Sequence, residues 1–435
     1  MEFKTVIIGS GISGLSAGHF LSKKSTDFII LEADNKVGGI IQSKTQNKFI
    51  CENGPNTVLL NNDAIIEMIK DCKMWDELKF PTENSNKNRF VLNENKLTII
   101  PTKFSKFIST PLLSKVGKFR IFKELFVKRH NQDTSVYNFI SKRFGKEFHD
   151  QFIEPFLTGV YAGDTKKMSA KHSLKLLWAL EQTHGSIIKG FLKKEKNKVN
   201  SFNFKGGLSS LITKVADLLK ENIKLDYKVN KIEKTNNGYK ILSDSGDIIC
   251  NEVICAIPSY VLKQLIWDDS LIQELNRVVY NPIDVFHFGL ERKNINNNIN
   301  GFGVLTKPSD KKNFLGILFN SRIFDFVAPN DMDLFTVLVG GERQKELCQL
   351  PVKELENMVL KELEEMINHK GNIVFSNHFK WKKGIPQYNL NQEQLVSSIS
   401  NFEKNNKNFH ITGNYFNGIS VSDCIKKAKI IADNF

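Results

Sequence analysis

The sequence lacks any apolar run long enough to cross a lipid bilayer, which argues against a chain anchored by a transmembrane helix. It also lacks CxxC pairs and a dense cysteine framework, because its six cysteines are scattered over positions 51 to 424. This usage excludes a disulfide scaffold and predicts reduced, mostly buried thiols in a reducing compartment. The first predicted strand begins almost at the N-terminus, so we expect no signal peptide and a cytoplasmic protein.

Acidic residues are also scarce relative to basic ones, with 47 Asp and Glu against 61 Lys and Arg, a formal net charge of +14. Such a surplus favours nucleic acid, anionic lipid or an acidic substrate as a partner. The 435 residues are 41% hydrophobic and 25% charged, which is ordinary for a globular protein. This length allows two or three domains with a sizeable core.

The N-terminal segment VIIGSGISGLSAGHF carries a glycine-rich turn between a predicted strand and a predicted helix. Residues 3–8 form a short apolar run of the kind found in buried parallel strands. Gly9 then permits a tight turn, Gly11 leaves room for a pyrophosphate, and Gly14 lets the helix pack closely on the strand. The GxGxxG motif in this context predicts a dinucleotide-binding domain.

The residues after this motif complete the expected βαβ unit. The helix from Ile12 to about Lys23 directs its free N–H groups at the phosphates. A second apolar strand, residues 28–31, ends at Glu32, whose carboxylate can accept hydrogen bonds from ribose hydroxyls and disfavours a 2′-phosphate. NADP is therefore not expected.

Further glycine turns favour FAD over NAD. Gly38 and Gly39 form a doublet soon after Glu32, the segment ENGPN follows at 52–56, and the chain closes with FHITGNYFNGISVSDCIKKA. This pattern resembles the flavin amine-oxidase superfamily, which implies FAD bound between the two ends of the chain. The family often has an arginine shortly after the doublet, whereas this chain has Ile40 and Gln42.

The most unusual stretch is KFSKFISTPLLSKVGKFRIFKELFVKRH, residues 103–130, with eight Lys or Arg and one acid, Glu124. Its apolar residues at helical spacing are Leu112, Val116, Phe119, Phe122 and Phe126. A basic amphipathic helix of this kind can lie on an anionic membrane. The same stripe also fits a surface helix that packs its apolar face on the protein, so both interpretations stand. No nucleic-acid motif accompanies the basic residues, and nucleic acid is not expected as a partner.

The remaining pattern predicts a mixed α/β protein. Residues 62–78 and 352–368 fit helices, and NRFVLNENKLTII fits a β-hairpin. Residues 135–194 are mostly helical around a glycine break, TGVYAGD. Strands are predicted at LDYKVNKIEK, YKILSDSG and EVICAIPSY, and the chain between positions 317 and 341 is rich in strands.

Several segments together resemble the protoporphyrinogen oxidase family, the FAD-dependent porphyrinogen oxidases of the flavin amine-oxidase superfamily. The resemblance covers nearly the whole chain. Its most specific parts are TGVYAGD with EQTHGS, and GFGVL with LGILFNS. After IPQY the family often has Gly-His, whereas this chain has Asn391 and Gln392, so we expect that loop to differ.

The resemblance implies three intertwined parts in an α/β (α+β mixed) fold. A Rossmann-like FAD-binding domain takes residues 1–80, 200–258 and 405–435, so that it is built from both termini. A helical membrane-binding domain takes residues 95–199. A substrate-binding domain with an antiparallel sheet takes residues 81–94 and 259–404.

The resemblance also implies the site residues. Arg89 would face a substrate propionate, which suits a guanidinium as a bidentate carboxylate partner. The backbone at Gly159 would lie against the macrocycle, and apolar side chains would sandwich it, namely Phe302, Leu305, Leu318 and Leu338. Plain core packing is the alternative for these four residues.

The implied cofactor contacts come from five segments. Val229 would contact the adenine through its backbone, and the N-terminus of the closing helix would stabilise negative charge on the flavin. The predicted FAD-binding residues are Gly9, Gly11, Ile12, Ser13, Gly14, Glu32, Ala33, Gly38, Gly39, Gly54, Pro55, Asn56, Val229, Gly413, Ser420, Val421 and Asp423. No metal ligand and no catalytic acid or base is assigned.

The function implied is oxygen-dependent oxidation of protoporphyrinogen IX to protoporphyrin IX in haem biosynthesis, with FAD as cofactor and hydrogen peroxide as co-product. Coproporphyrinogen III is the alternative substrate, because the residues do not separate two propionates from four. Another flavin amine oxidase or desaturase, or a carrier of the same fold without flavin, are further alternatives. Molecular oxygen, an anionic membrane surface and a second copy in a homodimer are the expected partners. The expected location is the cytoplasmic face of a membrane.

Overall fold

The computed structural model describes residues 2–101, 104–194, 199–297 and 299–435. Its strands are β1 (Glu2–Ile8), β2 (Phe28–Leu31), β3 (Ser43–Gln46), β4 (Phe49–Glu52), β5 (Val58–Leu60), β6 (Leu78–Lys79), β7 (Phe90–Asn93), β8 (Lys96–Ile99), β9 (Asn200–Phe204), β10 (Ile223–Lys224), β11 (Val229–Thr235), β12 (Gly238–Ser243), β13 (Ile248–Cys255), β14 (Tyr280–Glu291), β15 (Gly303–Leu305), β16 (Gly316–Leu318), β17 (Met332–Gly340), β18 (Ile373–Pro386) and β19 (Phe409–Ile411).

Helices alternate with these strands at both ends of the chain and dominate its middle. They are α1 (Ile12–Ser22), α2 (Asp63–Asp71), α3 (Glu83–Lys87), α4 (Phe104–Ser109), α5 (Lys115–Phe122), α6 (Val136–Phe144), α7 (Lys146–Phe148), α8 (Glu154–Tyr161), α9 (Ala170–Ser173), α10 (Lys175–His184), α11 (Ile187–Lys193), α12 (Ser209–Leu218), α13 (Ser259–Leu265), α14 (Asp269–Asn276), α15 (Asn320–Ile323), α16 (Val352–Ile367), α17 (Gln392–Asn405) and α18 (Val421–Asp433).

A largely parallel sheet joins the two ends of the chain. Its order is β10-β2-β1-β13-β12-β11, and β19 also pairs with β13. Ile8, the last residue of β1, lies between Leu31 and Cys255, so three strands end at one edge. Val6 and Ile7 point into different hydrophobic clusters, which shows that helices and loops cover both faces of the sheet.

A second sheet has the order β18-β14-β17-β16-β15-β7-β8 and is largely antiparallel. One face is core: Val304, Ile317 and Val337 pack with Leu355 and Val359 of α16. Side chains alternate along a strand, so their neighbours in sequence point to the opposite face. Two smaller sheets, β3-β4 and β5-β9-β6, lie within the part of the chain that the structure describes.

The helical layer between residues 104 and 194 has its own core and a buried charge cluster. Arg143 lies between Glu124 and Glu181, and all three side chains are fully buried. The Nε of Arg143 donates to Glu181 at 2.7 Å, and Ser186 donates to Glu124. The lone acid of the basic stretch is therefore a core residue and not part of its surface.

The basic stretch over residues 103–130 contains more than one helix, and its first residue, Lys103, lies outside the described residues. The segment forms α4, a turn, α5 and a 3-10 turn over Lys123–Phe126. Ser114 caps α5 by accepting from the Gly117 N–H at 3.0 Å. Leu112 precedes the helix and is buried, whereas Phe119 and Phe126 of the predicted stripe are 64% and 87% exposed. The stripe thus faces outward rather than the core.

The mixed α/β prediction is confirmed, and most element boundaries agree within a few residues. The predicted helix over 62–78 ends at Asp71, where Lys73 takes a positive φ of 56° and turns the chain. All six cysteines are free and buried. Among the described residues, no helix has the length and apolarity needed to pass through a membrane.

Candidate cofactor and substrate site

The first glycine turn joins β1 to α1 with the close contacts that its motif predicts. Gly9 takes a φ of +99°, a conformation that L side chains rarely adopt. A Cβ on Gly14 would overlap the carbonyl oxygen of Gly9. At Gly11, by contrast, no described atom lies within 4 Å of the place where a Cβ would stand. The turn is therefore tight on the protein side and open where α1 begins, with Ile12 and Ser13 in its first turn.

The glycine doublet lies directly against the first glycine turn. The N–H of Gly38 donates to the Ser10 carbonyl at 3.0 Å, and Gly38 forms a parallel bridge with Gly11. A Cβ on Gly39 would stand 3.4 Å from the Gly11 Cα. Two motifs that are 24 residues or more apart in sequence thus form one backbone surface without side chains.

Glu32 is held at the end of β2 and oriented toward the same turn. Its Oε2 accepts hydrogen bonds from the Ser10 N–H at 2.7 Å and the Ser10 hydroxyl at 2.6 Å. Its Oε1 accepts from the Asp34 N–H at 3.0 Å, across the exposed Ala33. These bonds fix the carboxylate where the adenosine ribose is expected, although they use part of its acceptor capacity.

Val229 lies close to Glu32 because the chain before β11 runs beside the end of β2. The N–H of Tyr227 donates to the Glu32 carbonyl at 2.7 Å, and Val229 follows two residues later. Val229 is buried in one cluster with Leu31. A backbone contact from Val229 to an adenine stays a prediction.

The segment 52–56 connects the cofactor side to the antiparallel sheet. The Glu52 carbonyl accepts from Nε2 of His287 at 3.2 Å, and the Asn53 carbonyl accepts from Nε1 of Trp381 at 2.7 Å. Gly54 and Pro55 follow, and Asn56 Oδ1 then accepts from Nδ2 of Asn320 at 2.9 Å. The predicted residues 54–56 therefore lie at the junction of the two sheets.

The closing segment returns to the first helix. The Ser420 hydroxyl caps α18 by accepting from the Asp423 N–H at 3.1 Å, and Val421 is the first residue of that helix. Cys424 and Ile425 share a hydrophobic cluster with Ile12 and Leu15 of α1. Both ends of the chain thus meet, and the N-termini of α1 and α18 belong to one site.

Lys427 holds the loop that leads into α18, a role that the sequence did not reveal. Its ammonium donates to the carbonyls of Gly413, Phe416 and Gly418, at 2.6 Å for Phe416 and 3.3 Å for Gly418. Burial lowers the pKa of Lys427. The hydroxyl of Tyr388 donates to the carbonyl of residue 414 at 2.9 Å and accepts from the Gly418 N–H at 3.1 Å.

Gln392, at the point where the sequence departs from the family pattern, completes this support. Its Nε2 donates to the Tyr415 carbonyl at 2.9 Å, and it begins α17 after Asn391. That this loop differs from the family's stays a prediction. Three side chains from two segments keep the closing loop in place.

The residues present fit a bound FAD. The surface at Gly11 is open, no side chain caps α1 within the described chain, and an anchored carboxylate stands at the end of β2. Free N–H groups at a helix N-terminus suit a pyrophosphate, and the carboxylate suits ribose hydroxyls. The predicted cofactor residues lie along one path from Val229 and Glu32, past the glycine turns, to the N-terminus of α18.

The three predicted leucines share one face of the antiparallel sheet. Leu305 and Leu338 both lie opposite Gly316, and Leu318 pairs with Thr336 in the next row. All three leucines are half-buried, whereas the residues between them point into the core. The Thr336 hydroxyl on this face is buried and has no hydrogen-bond partner among the described residues.

Gly159 and Phe302 border this leucine face. Leu305 Cδ2 lies 2.5 Å from the point where a Cβ on Gly159 would stand, so α8 passes directly over the strand. The Phe302 N–H donates to the Asn88 carbonyl at 2.9 Å, which places the segment of Arg89 beside the start of β15. The structure therefore brings all six predicted substrate residues to one region.

Arg89 has an aromatic neighbour and no carboxylate partner. Its guanidinium carbon lies 5.0 Å from the centre of the Phe302 ring. Arg89 is an exposed residue, and no carboxylate oxygen of the described residues lies within 4.0 Å of its nitrogens. The protein atoms around the guanidinium still desolvate it, which lowers the pKa of Arg89. An unpaired guanidinium beside an apolar face is suited to a ligand carboxylate.

Sequence reasoning missed several residues of the site besides Lys427. Ala256 and Ile257 follow β13, and both would contact a Cβ on Gly9. A strand that ends at the same edge as β1 could have indicated them, because ligands bind at this edge of parallel sheets.

His287 is a further residue that the sequence did not indicate. It is fully buried on the leucine face and accepts from Asn377 Nδ2 at 3.2 Å. Burial lowers the pKa of His287 to about 4. It is a neutral side chain near neutral pH.

Within the described ranges, no group of three or more His, Cys, Asp or Glu side chains could hold a metal ion. The family match and the relatives define a FAD-dependent oxidoreductase. The family described as flavin containing amine oxidoreductase matches residues 12–434, and the chain belongs to this family.

Individual relatives agree with the resemblance found in the sequence. The chain is 28% identical to protoporphyrinogen oxidase 2, chloroplastic/mitochondrial, of Arabidopsis thaliana, over 99% of this chain and 93% of that protein. It is 26% identical to coproporphyrinogen III oxidase of Staphylococcus aureus, over 100% and 99%. A crystal structure from Exiguobacterium sp. 255-15, designated a protoporphyrinogen oxidase, superposes with a TM-score of 0.86 at 22% identity, over 99% and 98%. The predicted family resemblance and FAD cofactor are confirmed.

Proposed function

We propose that this FAD-dependent oxidoreductase is a porphyrinogen oxidase, and that it converts protoporphyrinogen IX to protoporphyrin IX with molecular oxygen as acceptor. The relatives named above carry porphyrinogen names, which supports the substrate class. The observation that carries the proposal is the unpaired Arg89 beside the half-buried leucine face. A flat apolar ring with carboxylate arms matches both features.

The chain's own residues place and shield the substrate in this proposal. Leu305, Leu318 and Leu338 bind one face of the ring and exclude water there, while Arg89 binds a propionate and sets the orientation of the ring. Bound FAD would supply the redox chemistry, since a flavin accepts a hydride from carbon and passes electrons to oxygen. His287 is neutral near neutral pH, and no side chain is assigned a proton-transfer role.

Steady-state kinetics with protoporphyrinogen IX, followed by porphyrin fluorescence, test this proposal. A charge-assisted hydrogen bond contributes about 1.5–3 kcal/mol, so we expect Arg89→Leu to raise KM about 10- to 150-fold with little change in kcat. Arg89→Lys should recover part of the loss. Arg277→Leu is the matched control, because Arg277 makes an exposed ion pair with Glu274 on α14. Unchanged kinetics of Arg89→Leu would contradict the proposed role.

The same assay decides between the two porphyrinogens. The similarity to the Staphylococcus aureus coproporphyrinogen III oxidase favours the second candidate, a substrate with four propionates. Side-by-side turnover should be faster with protoporphyrinogen IX if our proposal is correct. Faster turnover of coproporphyrinogen III would show that this porphyrinogen, and not protoporphyrinogen IX, is the substrate. The class of reaction would stay the same.

We also propose that the helical part, residues 95–199, docks on an anionic membrane surface, and that residues 1–80, 200–258 and 405–435 form the FAD-binding domain. The remaining segments, 81–94 and 259–404, form the substrate-binding domain.

The outward face of α5 and the following turn supports the docking proposal, because Val116, Phe119 and Phe126 are 79%, 64% and 87% exposed. Lys123 lies 5.8 Å from the Phe119 ring, so charge and apolar surface occur together.

Vesicle sedimentation tests the docking proposal. We expect the protein to sediment with vesicles that contain phosphatidylserine and less with neutral phosphatidylcholine vesicles. Phe119→Ser combined with Phe126→Ser should weaken this binding, whereas Val374→Ser, an exposed apolar residue of β18, should not. Equal sedimentation of both variants with the wild type would contradict the assignment of this face.

A further inference from the structure

A cavity of about 550 Å³ lies between the helical part and the antiparallel sheet, apart from the cofactor and leucine surfaces. Its walls come from the segment around His149 and Glu154, from residues 163–167, and from Lys307 and Arg343. None of the predicted cofactor or substrate residues lines it. Asp164, the last residue of the TGVYAGD segment, is part of its wall.

The carboxylates of this cavity already have partners. The Thr165 hydroxyl donates to Glu154, and His149 Nε2 lies 3.4 Å from the same carboxylate. Glu342 pairs with Lys167 at 2.5 Å. The Asp164 carboxylate accepts from the backbone N–H of residue 166 at 2.8 Å. The negative groups are therefore engaged by the protein itself.

The two cations on the sheet side of the cavity, Arg343 and Lys307, donate their hydrogen bonds to neutral acceptors. Arg343 donates to the Thr306 carbonyl at 3.3 Å and to the Thr306 hydroxyl at 3.0 Å, both neutral acceptors. No carboxylate oxygen of the described residues lies within 4.0 Å of its guanidinium. Burial lowers the pKa of Arg343, and the more distant Glu154 and Asp310 oppose this effect.

Lys307 directly follows Thr306, which accepts from the Arg343 guanidinium, and the Lys307 side chain is only 6% exposed. Its ammonium donates to Oε1 of Gln151 at 2.9 Å, and the nearest carboxylate oxygen, of Asp310, is 3.8 Å away. Two positive groups that are partly withdrawn from water are unfavourable unless an anion balances them. The guanidinium also keeps donors free for a planar oxyanion.

We propose that this cavity is a second ligand site, which binds the phosphate or carboxylate group of a small metabolite through Arg343 and Lys307. The volume is in the range of metabolite sites in proteins, and the engaged carboxylates leave the cations as the groups that select the ligand. The site is separate from the redox site, so the proposal holds whichever porphyrinogen the enzyme oxidises.

Isothermal titration of the FAD-loaded protein tests the site, since the flavin site is then filled. Inorganic phosphate and succinate serve as probes at constant ionic strength, with sodium chloride as the reference. We expect saturable binding of at least one probe, and at least a tenfold loss of affinity in Arg343→Gln. Lys345→Gln is the matched control, because Lys345 is exposed and lies 4.0 Å from Glu342.

The two probes distinguish the source of the oxyanion: preference for phosphate indicates a phosphorylated ligand, and preference for succinate a carboxylic acid. Arg343→Lys keeps the charge if Arg343→Gln fails to fold, and it should bind more weakly than the wild type. Absence of saturable binding by both probes would overturn the proposal. Equal affinities of the wild type, the Arg343 variants and Lys345→Gln would do the same.

Discussion

Gly11→Ala and Gly14→Ala should separate cofactor binding from folding, because the structure gives the two glycines different surroundings. No described atom lies within 4 Å of a Cβ on Gly11, and its φ of −67° and ψ of 176° are accessible to alanine. Alanine is a poorer N-cap than glycine but lowers the entropy of the unfolded chain, so the two effects nearly cancel. We expect the free energy of unfolding of the apoprotein to change by less than about 1 kcal/mol.

The added methyl group at Gly11 nevertheless stands where the backbone must approach the pyrophosphate. We expect FAD to bind at least about tenfold more weakly, a loss of about 1.4 kcal/mol or more. Gly14→Ala places its methyl group on the Gly9 carbonyl oxygen and against Ala256, so α1 and β1 must separate. Overpacking of this kind costs about 1–3 kcal/mol of stability before any cofactor is added.

Urea unfolding of the apoproteins and fluorescence titration with FAD measure the two effects separately. The expected pattern is a stable Gly11→Ala protein that binds FAD poorly and a destabilised Gly14→Ala protein. Wild-type FAD affinity in Gly11→Ala would refute the position of the pyrophosphate. A strongly destabilised Gly11→Ala apoprotein would refute the open surroundings of that residue.

Three further predictions concern buried charged and titratable groups. Arg143→Met leaves Glu124 and Glu181 without their buried cation, and we expect chemical denaturation to show a loss of about 3–5 kcal/mol; a loss below about 1 kcal/mol would contradict the burial of this cluster. Lys427→Met removes the donor for three loop carbonyls, and we expect FAD to bind about tenfold more weakly in fluorescence titrations. Wild-type FAD affinity in this variant would show that the loop does not depend on the contact. Burial lowers the pKa of His287 to about 4, so between pH 6.5 and 4 the unfolded chain binds a proton that the folded protein does not. The free energy of unfolding should therefore fall by up to about 3 kcal/mol as the pH falls through this range. If His287→Asn shows the same dependence of this free energy on pH as the wild type, other groups cause the loss.

The parts of the fold that could be predicted are those governed by local patterns. The strand at residues 28–31 and the helix that starts at Ile12 agree with the structure, because glycine turns and apolar runs mark their boundaries. The predicted helix over 62–78 extended too far, since Met74 and Leu78 continue the apolar spacing although they enter the core from a turn and a strand. The burial of Met74 and Leu78 thus gave the segment after Asp71 the apolar spacing of a helix, although α2 ends at Asp71.

The functional residues that escaped prediction depend on contacts between distant segments. Lys426 and Lys427 look alike in the sequence, but Lys426 is exposed whereas Lys427 donates to the loop before α18. His287 resembles any polar strand residue until the register places it opposite Thr336 and beside Asn377. Neither relationship follows from spacing along one segment, whereas the glycine motifs carry their geometry within a few residues.

The arrangement of the cradle implies that cofactor binding and domain assembly are coupled. The Gly38–Ser10 hydrogen bond closes the N-terminal turns, and the bonds from His287 and Trp381 attach segment 52–56 to the antiparallel sheet. α18 then packs on α1 from the opposite end of the chain. A ligand that contacts all of these segments binds only the assembled state, so FAD at a hundred times its Kd would add about 2.7 kcal/mol to stability. We therefore expect the flavin site to stabilise the assembled fold as well as to carry out the redox reaction.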